Sequence, residues 1–200
     1  MAESSRSSLP NLLSAVRILL MPTALVVAMA GSKLWFAMLL ALALATDALD
    51  GYLARKLNAE SEFGRKLDSA ADYLTLLTGL AGIAVLWPEI MRRELPWVAS
   101  GLLIFFAVIV YGLLSLGRAP CYHTWITKIS ALACGFSLIP LLMGYSAAPL
   151  HWALVLQILG GLEELFIIYL VPWHKGELRT VWHALKLRRQ RAAAGNENAD

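Results

Sequence analysis

Six apolar stretches, each close to the length of a membrane-spanning helix, take up most of this 200-residue chain. A helix needs about 20 predominantly apolar residues to cross the hydrocarbon core of a bilayer. Hydrophobic residues make up 58% of the sequence and the mean hydropathy is +0.63, which argues against an ordinary soluble domain. We therefore predict an all-α, polytopic membrane protein with six transmembrane helices, at approximately 12–31, 34–54, 68–88, 95–117, 125–146 and 149–172.

The chain is predicted to consist of one membrane domain and a short basic tail. Residues 1–175 contain all six apolar stretches and leave little chain for a soluble domain. Residues 176–200 begin with GELRTVWHALKLRRQR, in which Val181, Trp182, Leu185 and Leu187 are the apolar members. This pattern predicts an amphipathic helix that lies on the inner leaflet of the membrane.

Lysine and arginine are distributed unequally between the links that join the apolar stretches. If the N-terminus is cytoplasmic, the outer links contain only Lys33, Arg92 and Arg93, and most of the other basic residues are on the inner side. Because short loops rich in Lys and Arg remain in the cytoplasm, we predict an inner-membrane protein with both termini cytoplasmic. The basic inner face also suits anionic lipid head groups. No soluble basic domain exists, so nucleic-acid binding is not expected.

Four aspartates lie where acidic residues are costly. Asp47 and Asp50 fall near the end of the second apolar stretch, and Asp68 and Asp72 at the start of the third. A charged residue costs roughly 2.5–3.5 kcal/mol at the centre of a membrane helix. Both pairs flank one inner link, so the four carboxylates converge at a polar site on the cytoplasmic side. One or two divalent cations would hold them together, and the all-oxygen ligands favour Mg²⁺ or Mn²⁺.

Small residues and an arginine share a helical face with the first two aspartates. At about 100° per residue, Gly51, Ala54 and Arg55 fall within the same arc. The small side chains leave room for a ligand, and a guanidinium suits phosphate. With a carboxylate to accept the proton of an attacking hydroxyl, the pattern predicts a phosphoryl-transfer centre. In the alternative, the aspartates only pair with the basic residues of the inner link, which are Arg55, Lys56, Arg65 and Lys66.

The run Asp47-x2-Asp50-Gly51-x2-Ala54-Arg55-x8-Gly64-x3-Asp68-x3-Asp72 resembles the signature of the CDP-alcohol phosphotransferase family at every fixed position. The six-helix layout and the opening PNLLSAVR are also similar to members of this family. The resemblance implies a membrane enzyme, usually a homodimer, whose site opens to the cytoplasm. It transfers a phosphatidyl group from CDP-diacylglycerol to an alcohol and releases CMP.

The resemblance also implies a role for each residue of the motif. Asp72 is the implied general base. The implied metal ligands, for two ions, are Asp47, Asp50, Asp68 and Asp72. The residues implied to line the CDP pocket are Asp50, Gly51, Ala54, Arg55 and Gly64.

The identity of the acceptor alcohol is less constrained. The compact chain and its opening residues favour glycerol 3-phosphate, as in a phosphatidylglycerophosphate synthase-like member. However, the run from Asp68 to Tyr73 lacks the Asp-Pro-x-Ala-Asp-Lys usual in those enzymes, and Ser69 is more similar to serine and inositol-phosphate enzymes. Serine, inositol phosphate and a second phospholipid therefore stay open as acceptors. A non-catalytic scaffold and a cation transporter are the alternatives outside this chemistry.

Cations on the inner half of the chain are candidates for binding an acceptor phosphate. They are Arg17, Arg118, His123 and Lys128, and the alternative for each is contact with solvent or the inner membrane surface. Glu163 and Glu164 are adjacent in the sixth stretch, so they point about 100° apart. We expect one of these glutamates to form an ion pair with Lys128 or Arg17 or to carry a protonated carboxyl group. The alternative is a contact with the acceptor, through an amine or hydroxyl groups.

Overall fold

The structure, a computed structural model, describes residues 8–57, 62–117, 124–172, 178 and 180–197, with backbone alone at 8–10, 48, 50–57, 62–63, 65 and 192–197. The described residues form seven α-helices and no β-strand. The helices are α1 Ser8–Met29, α2 Lys33–Leu57, α3 Glu62–Leu86, α4 Pro88–Leu116, α5 Trp125–Leu142, α6 Ala148–Leu170 and α7 Val181–Glu197. The prediction of an all-α fold is confirmed.

Five of the described helical segments are long and apolar enough to cross a membrane. They are Asn11–Met29, Lys66–Leu86, Pro88–Leu116, Trp125–Leu142 and Ala148–Leu170. These lengths and compositions are those of a multi-pass membrane protein. Helix α2 is not among the five, and most side chains in its C-terminal half are not described, so the sixth span stays a prediction.

The first compact unit, residues 1–92, is organised around α1. This helix packs extensively against both α2 and α3, which contact each other over fewer residues. One face of α1 is buried at intervals of three and four residues, as expected for a helix that faces its neighbours. The buried residues of this face are Ser14, Arg17, Met21, Ala24 and Ala28. An arginine therefore lies within a stripe that is otherwise small or apolar.

Helices α2 and α3 approach each other closely at Gly82. The fully buried ring of Phe36 in α2 lies where a side chain on residue 82 would begin, with Cε2 and Cζ only 2.2 Å from an ideal Cβ position. The ring is also close to Trp87, at a centroid distance of 6.4 Å. The absence of a side chain at Gly82 is therefore what permits this contact.

We expect Gly82→Ala to lower the free energy of unfolding by about 1–3 kcal/mol, because the added methyl group overfills the space beside Phe36. Gly79→Ala is a matched control in the same helix, since a Cβ there meets only Leu40 Cδ1 at 3.6 Å. That control is expected to be neutral, or to stabilise by up to about 1 kcal/mol through helix propensity. Unfolding in mixed micelles with increasing SDS measures both values. Equal effects of the two substitutions would contradict the close contact.

The second compact unit, residues 93–200, contains most of α4 together with α5, α6 and α7. Helices α5 and α6 pack extensively, and α7 contacts α6. The start of α5 comes near α6 at Gly160, where a Cβ would lie 2.6 Å from Thr127 Cγ2 and 3.1 Å from the Thr127 backbone nitrogen. This close approach brings the N-terminus of α5 near Glu164, one turn after Gly160 in α6.

The tail helix α7 packs against the second unit through its apolar residues. Ala184 is fully buried in a cluster with α6 residues such as Ile167 and Ile168. Val181, Leu185 and Leu187 pack partly buried against the same cluster, whereas Trp182 is exposed. The predicted helix is present. Its apolar residues were expected to contact the inner leaflet, but three of the four pack against other helices of the second unit.

Candidate metal centre

Three aspartates from two helices converge in the first unit. Asp47 lies in α2, and Asp68 and Asp72 lie one turn apart in α3, so the latter two share one side of their helix. One carboxylate oxygen from each residue lies within 4.8 Å of the other two. Their side chains are 46%, 44% and 52% exposed, respectively. The three carboxylates are thus close together and reachable from outside the unit.

The guanidinium of Arg17, from α1, contacts all three carboxylates. Its Nη1 donates to Asp47 Oδ1 and to Asp72 Oδ1, the latter at 2.8 Å. Its Nη2 donates to Asp68 Oδ1 at 2.9 Å. The Arg17 side chain is only 1% exposed. Arg17 therefore joins the three helices of the unit from the buried side of the cluster.

The charge and chemistry of the cluster suit a divalent cation. One guanidinium carries a single positive charge and cannot balance three ionised carboxylates. When all three are ionised, the charge left over equals in size that of one divalent ion. The ligand atoms are all carboxylate oxygens, which hard cations such as Mg²⁺ and Mn²⁺ prefer. The described residues therefore fit a metal of this class.

The interpretation of Arg17 as a residue that extends to the inner surface is wrong. Its burial follows from its place in the stripe of α1 that includes Ser14 and Met21, which faces the neighbouring helices and not lipid or water. The three- and four-residue spacing from Arg17 to Ser14 and Met21 is the signal in the sequence that could have indicated this.

Comparison with known sequences agrees with the motif that supplies these aspartates. The sequence profile described as CDP-alcohol phosphatidyltransferase matches residues 7–161, which is more than half of the chain. The chain belongs to the CDP-alcohol phosphatidyltransferase family. The matched segment includes α1, α2 and α3, and with them Arg17 and the aspartate cluster. The family inferred from the motif is confirmed.

The curated relatives of this chain carry two different enzyme names. The chain is 33% identical over 135 residues to a CDP-diacylglycerol--glycerol-3-phosphate 3-phosphatidyltransferase of Cereibacter sphaeroides, covering 62% of this chain and 56% of that protein. It is 39% identical over 97 residues to a cardiolipin synthase (CMP-forming) of Streptomyces coelicolor, covering 46% and 44%. The chain thus spans about half the length of these relatives. No solved structure matches it.

The other motif residues of the CDP-alcohol phosphatidyltransferase family are described less fully. Gly64 is half-buried near the start of α3. The backbone of α2 is helical through the remaining motif positions, but their side chains lie outside the described residues. These positions are Asp50, Gly51, Ala54 and Arg55. Their roles in metal and CDP binding stay predictions.

Two of the candidate acceptor-binding residues, Arg118 and His123, also lie outside the described residues. Lys128 is exposed on α5 in the second unit, with its Nζ 6.0 Å from the centre of the Trp125 ring. A role of Arg118 or Lys128 in acceptor binding stays a prediction.

Glu163 and Glu164 contact the N-termini of two different helices. Glu164 Oε1 accepts a hydrogen bond from Thr127 Oγ1 at 2.9 Å and a long one from the Thr124 backbone N–H at 3.5 Å, at the start of α5. Glu163 Oε1 accepts from the backbone N–H of Val181, the first residue of α7, at 3.2 Å. Helix N-termini have unsatisfied N–H groups and a partial positive charge, so both carboxylates are well placed. Within the second unit, the described contacts of both glutamates are with these helix starts and not with Lys128.

A second polar cluster, in the second unit, was not predicted. Glu94 is buried at 3% exposure, accepts from Arg93 Nε at 2.6 Å, and lies 2.6 Å from His151 Nε2. The His151 ring stacks on Trp97 at a centroid distance of 4.5 Å. This cluster joins α4 to the first turns of α6. Glu94 and His151 are 57 residues apart, so no local pattern indicated the contact.

Proposed function

We propose that this protein is a membrane enzyme that transfers a phosphatidyl group from CDP-diacylglycerol to glycerol 3-phosphate and releases CMP. The observation that supports this most directly is the convergence of Asp47, Asp68 and Asp72 within 4.8 Å, in a chain of the CDP-alcohol phosphatidyltransferase family. The named activity of the Cereibacter sphaeroides relative supports glycerol 3-phosphate as the acceptor.

The proposed cofactor is a pair of Mg²⁺ or Mn²⁺ ions held by Asp47, Asp50, Asp68 and Asp72. Divalent ions at this position would offset the negative charge that develops on phosphate during transfer. Asp72 is the proposed general base, which takes the proton of the acceptor hydroxyl. Its exposure of 52% is consistent with access by an acceptor.

The remaining motif residues form the proposed CDP pocket. They are Asp50, Gly51, Ala54, Arg55 and Gly64. Small residues let the nucleotide approach the helix, and the guanidinium of Arg55 suits its phosphates. Arg17, Arg118 and Lys128 are the proposed contacts for the phosphate of the acceptor. The described hydrogen bonds of Arg17 are with the aspartates.

The proposed setting is the inner membrane, with six spans, both termini and the metal centre on the cytoplasmic side, and a homodimer as the functional unit. The excess of lysine and arginine in the inner links supports this orientation. Residues 1–175 are the proposed membrane domain and residues 176–200 the basic tail.

Phosphatidylglycerol is a second candidate acceptor, which would make the product cardiolipin. The similarity to the CMP-forming cardiolipin synthase of Streptomyces coelicolor, at 39% identity over 97 residues, favours considering it. Serine and inositol phosphate are supported only by the serine after Asp68.

The decisive assay follows CMP release by purified protein in detergent with CDP-diacylglycerol and Mn²⁺ or Mg²⁺. Glycerol 3-phosphate, phosphatidylglycerol, serine and inositol phosphate are offered separately. We expect release with glycerol 3-phosphate and formation of the matching lipid. Release with phosphatidylglycerol alone would assign the second candidate. No release with any acceptor, from folded protein that binds Mn²⁺, would contradict the proposed activity.

A further inference from the structure

Arg17 is the most buried of the described side chains of the candidate metal centre. Its side chain is 1% exposed, compared with 44–52% for its three carboxylate partners. It comes from α1, 30 to 55 residues before those partners and outside the aspartate motif. A fully buried arginine is retained only where its charge is paired. We therefore expect the function of Arg17 to lie in its ion pairs with the three carboxylates.

Without a metal, the three carboxylates need another cation to stay together while all three are ionised. Carboxylates whose oxygens lie within 4.8 Å of one another repel when they are ionised. A guanidinium has a planar fork of donors, so it can serve several carboxylates at once, and it stays protonated when buried. Arg17 does this, since its two terminal nitrogens reach Oδ1 atoms on all three residues.

We infer that Arg17 is a built-in counter-cation of the metal centre, which holds Asp47, Asp68 and Asp72 together when no divalent ion is bound and competes with that ion for them. The inference rests on the proposed metal site. A divalent ion and a guanidinium that share three carboxylates lie within a few ångströms and repel each other. The guanidinium of Arg17 does not lose its proton, so it stays positively charged when the metal binds. Metal binding therefore weakens or displaces its hydrogen bonds to the carboxylates.

Mn²⁺ binding in the absence of any substrate tests this competition directly. The full-length protein in detergent is titrated with Mn²⁺, and the free ion is measured by electron paramagnetic resonance. We expect Arg17→Met to bind Mn²⁺ at least about tenfold more tightly than the unsubstituted protein, because a nearby positive charge is removed. Arg17→Lys is expected to bind with intermediate affinity, since a compact ammonium cannot serve three carboxylates equally well.

Thermal unfolding supplies a second readout that does not depend on activity. Without metal, Arg17→Met is expected to unfold at a lower temperature than the unsubstituted protein, because its carboxylates repel without compensation. Saturating Mn²⁺ is expected to raise its unfolding temperature by more than that of the unsubstituted protein, since a ligand stabilises more when it binds more tightly.

Arg92→Met is the matched control. Arg92 is 76% exposed and pairs with Glu89 at 2.9 Å, so the same chemical change there should alter neither Mn²⁺ affinity nor the metal-dependent shift. Unchanged or weaker Mn²⁺ binding by Arg17→Met would overturn the inference, and would do so even if CMP release is observed. If that variant fails to fold, Arg17→Lys carries the comparison, and equal affinity overturns the inference. No Mn²⁺ binding by any form would overturn both the inference and the proposed metal site.

Discussion

Asp72→Asn is expected to lower the rate of CMP release by about 10²–10⁴-fold, the contribution typical of a general base. Asparagine keeps the size of the side chain and one oxygen, but its amide cannot take a proton from the acceptor hydroxyl. The carboxylate of Asp72 is half-exposed and lies beside those of Asp47 and Asp68, so it can be close to both the metal and the acceptor. Initial rates with CDP-diacylglycerol and glycerol 3-phosphate measure the effect.

The assay also separates the proposed base from a simple metal ligand. Rates are measured over a wide range of Mn²⁺ concentrations. A missing base keeps the rate low at saturating metal, whereas a missing ligand is compensated as the metal concentration rises. Recovery of the full rate at high Mn²⁺ would therefore refute the role of Asp72 as base. Glu89→Gln, at an exposed acid of α4, is the control and should retain the original rate.

Removal of divalent metal is expected to reduce CMP release to the level seen without protein, and added Mg²⁺ or Mn²⁺ should restore it. The expectation follows from the excess negative charge of the cluster, which Arg17 alone does not balance. Phosphoryl transfer places further negative charge at the same site, so the reaction needs a cation there. Chelation followed by gel filtration prepares the sample, and mass spectrometry measures its residual metal.

The same sample distinguishes metal dependence from loss of fold. If Arg17 holds the carboxylates together, the chelated protein should remain folded and regain its rate within the time of metal binding. An undiminished rate in protein with far less than one metal ion per chain would contradict the proposed chemistry. Asp47→Asn and Asp68→Asn should both shift the metal dependence to higher concentrations, because each removes one charged ligand.

The helices could be predicted from the sequence, and so could the convergence of Asp47 with Asp68 and Asp72. Both follow from patterns among residues that are close together in the chain. Apolar runs of about 20 residues indicate spanning helices, and a four-residue spacing places two aspartates on one side of α3. The short link between α2 and α3 then brings the two groups to the same end. The resemblance of the motif from Asp47 to Asp72 to a known family also predicts the reaction, and that prediction awaits the assay of CMP release.

The contacts that sequence reasoning missed are those between distant segments. Arg17 could be recognised as buried from its spacing to Met21, but its partners depend on α1 packing against both α2 and α3. The glutamates at 163 and 164 were expected to differ in direction by about 100°. Their partners are the Thr127 hydroxyl and main-chain N–H groups at the starts of other helices. Main-chain groups leave no pattern of side chains to detect, and Thr127 is 37 residues from Glu164. Glu94 and His151 meet only through tertiary packing.

The partners of Arg17 also affect how the chain can enter a membrane during synthesis. Ribosomes make α1 first, while Asp47, Asp68 and Asp72 follow 30, 51 and 55 residues later. A lone arginine costs roughly 2.5–3.5 kcal/mol at the centre of an inserting helix. The nascent α1 must therefore offset that cost with its apolar residues, or keep Arg17 near water and head groups, until α2 and α3 arrive. Synthesis of this chain thus includes a stage in which the most buried charge among the described residues has not yet met its partners.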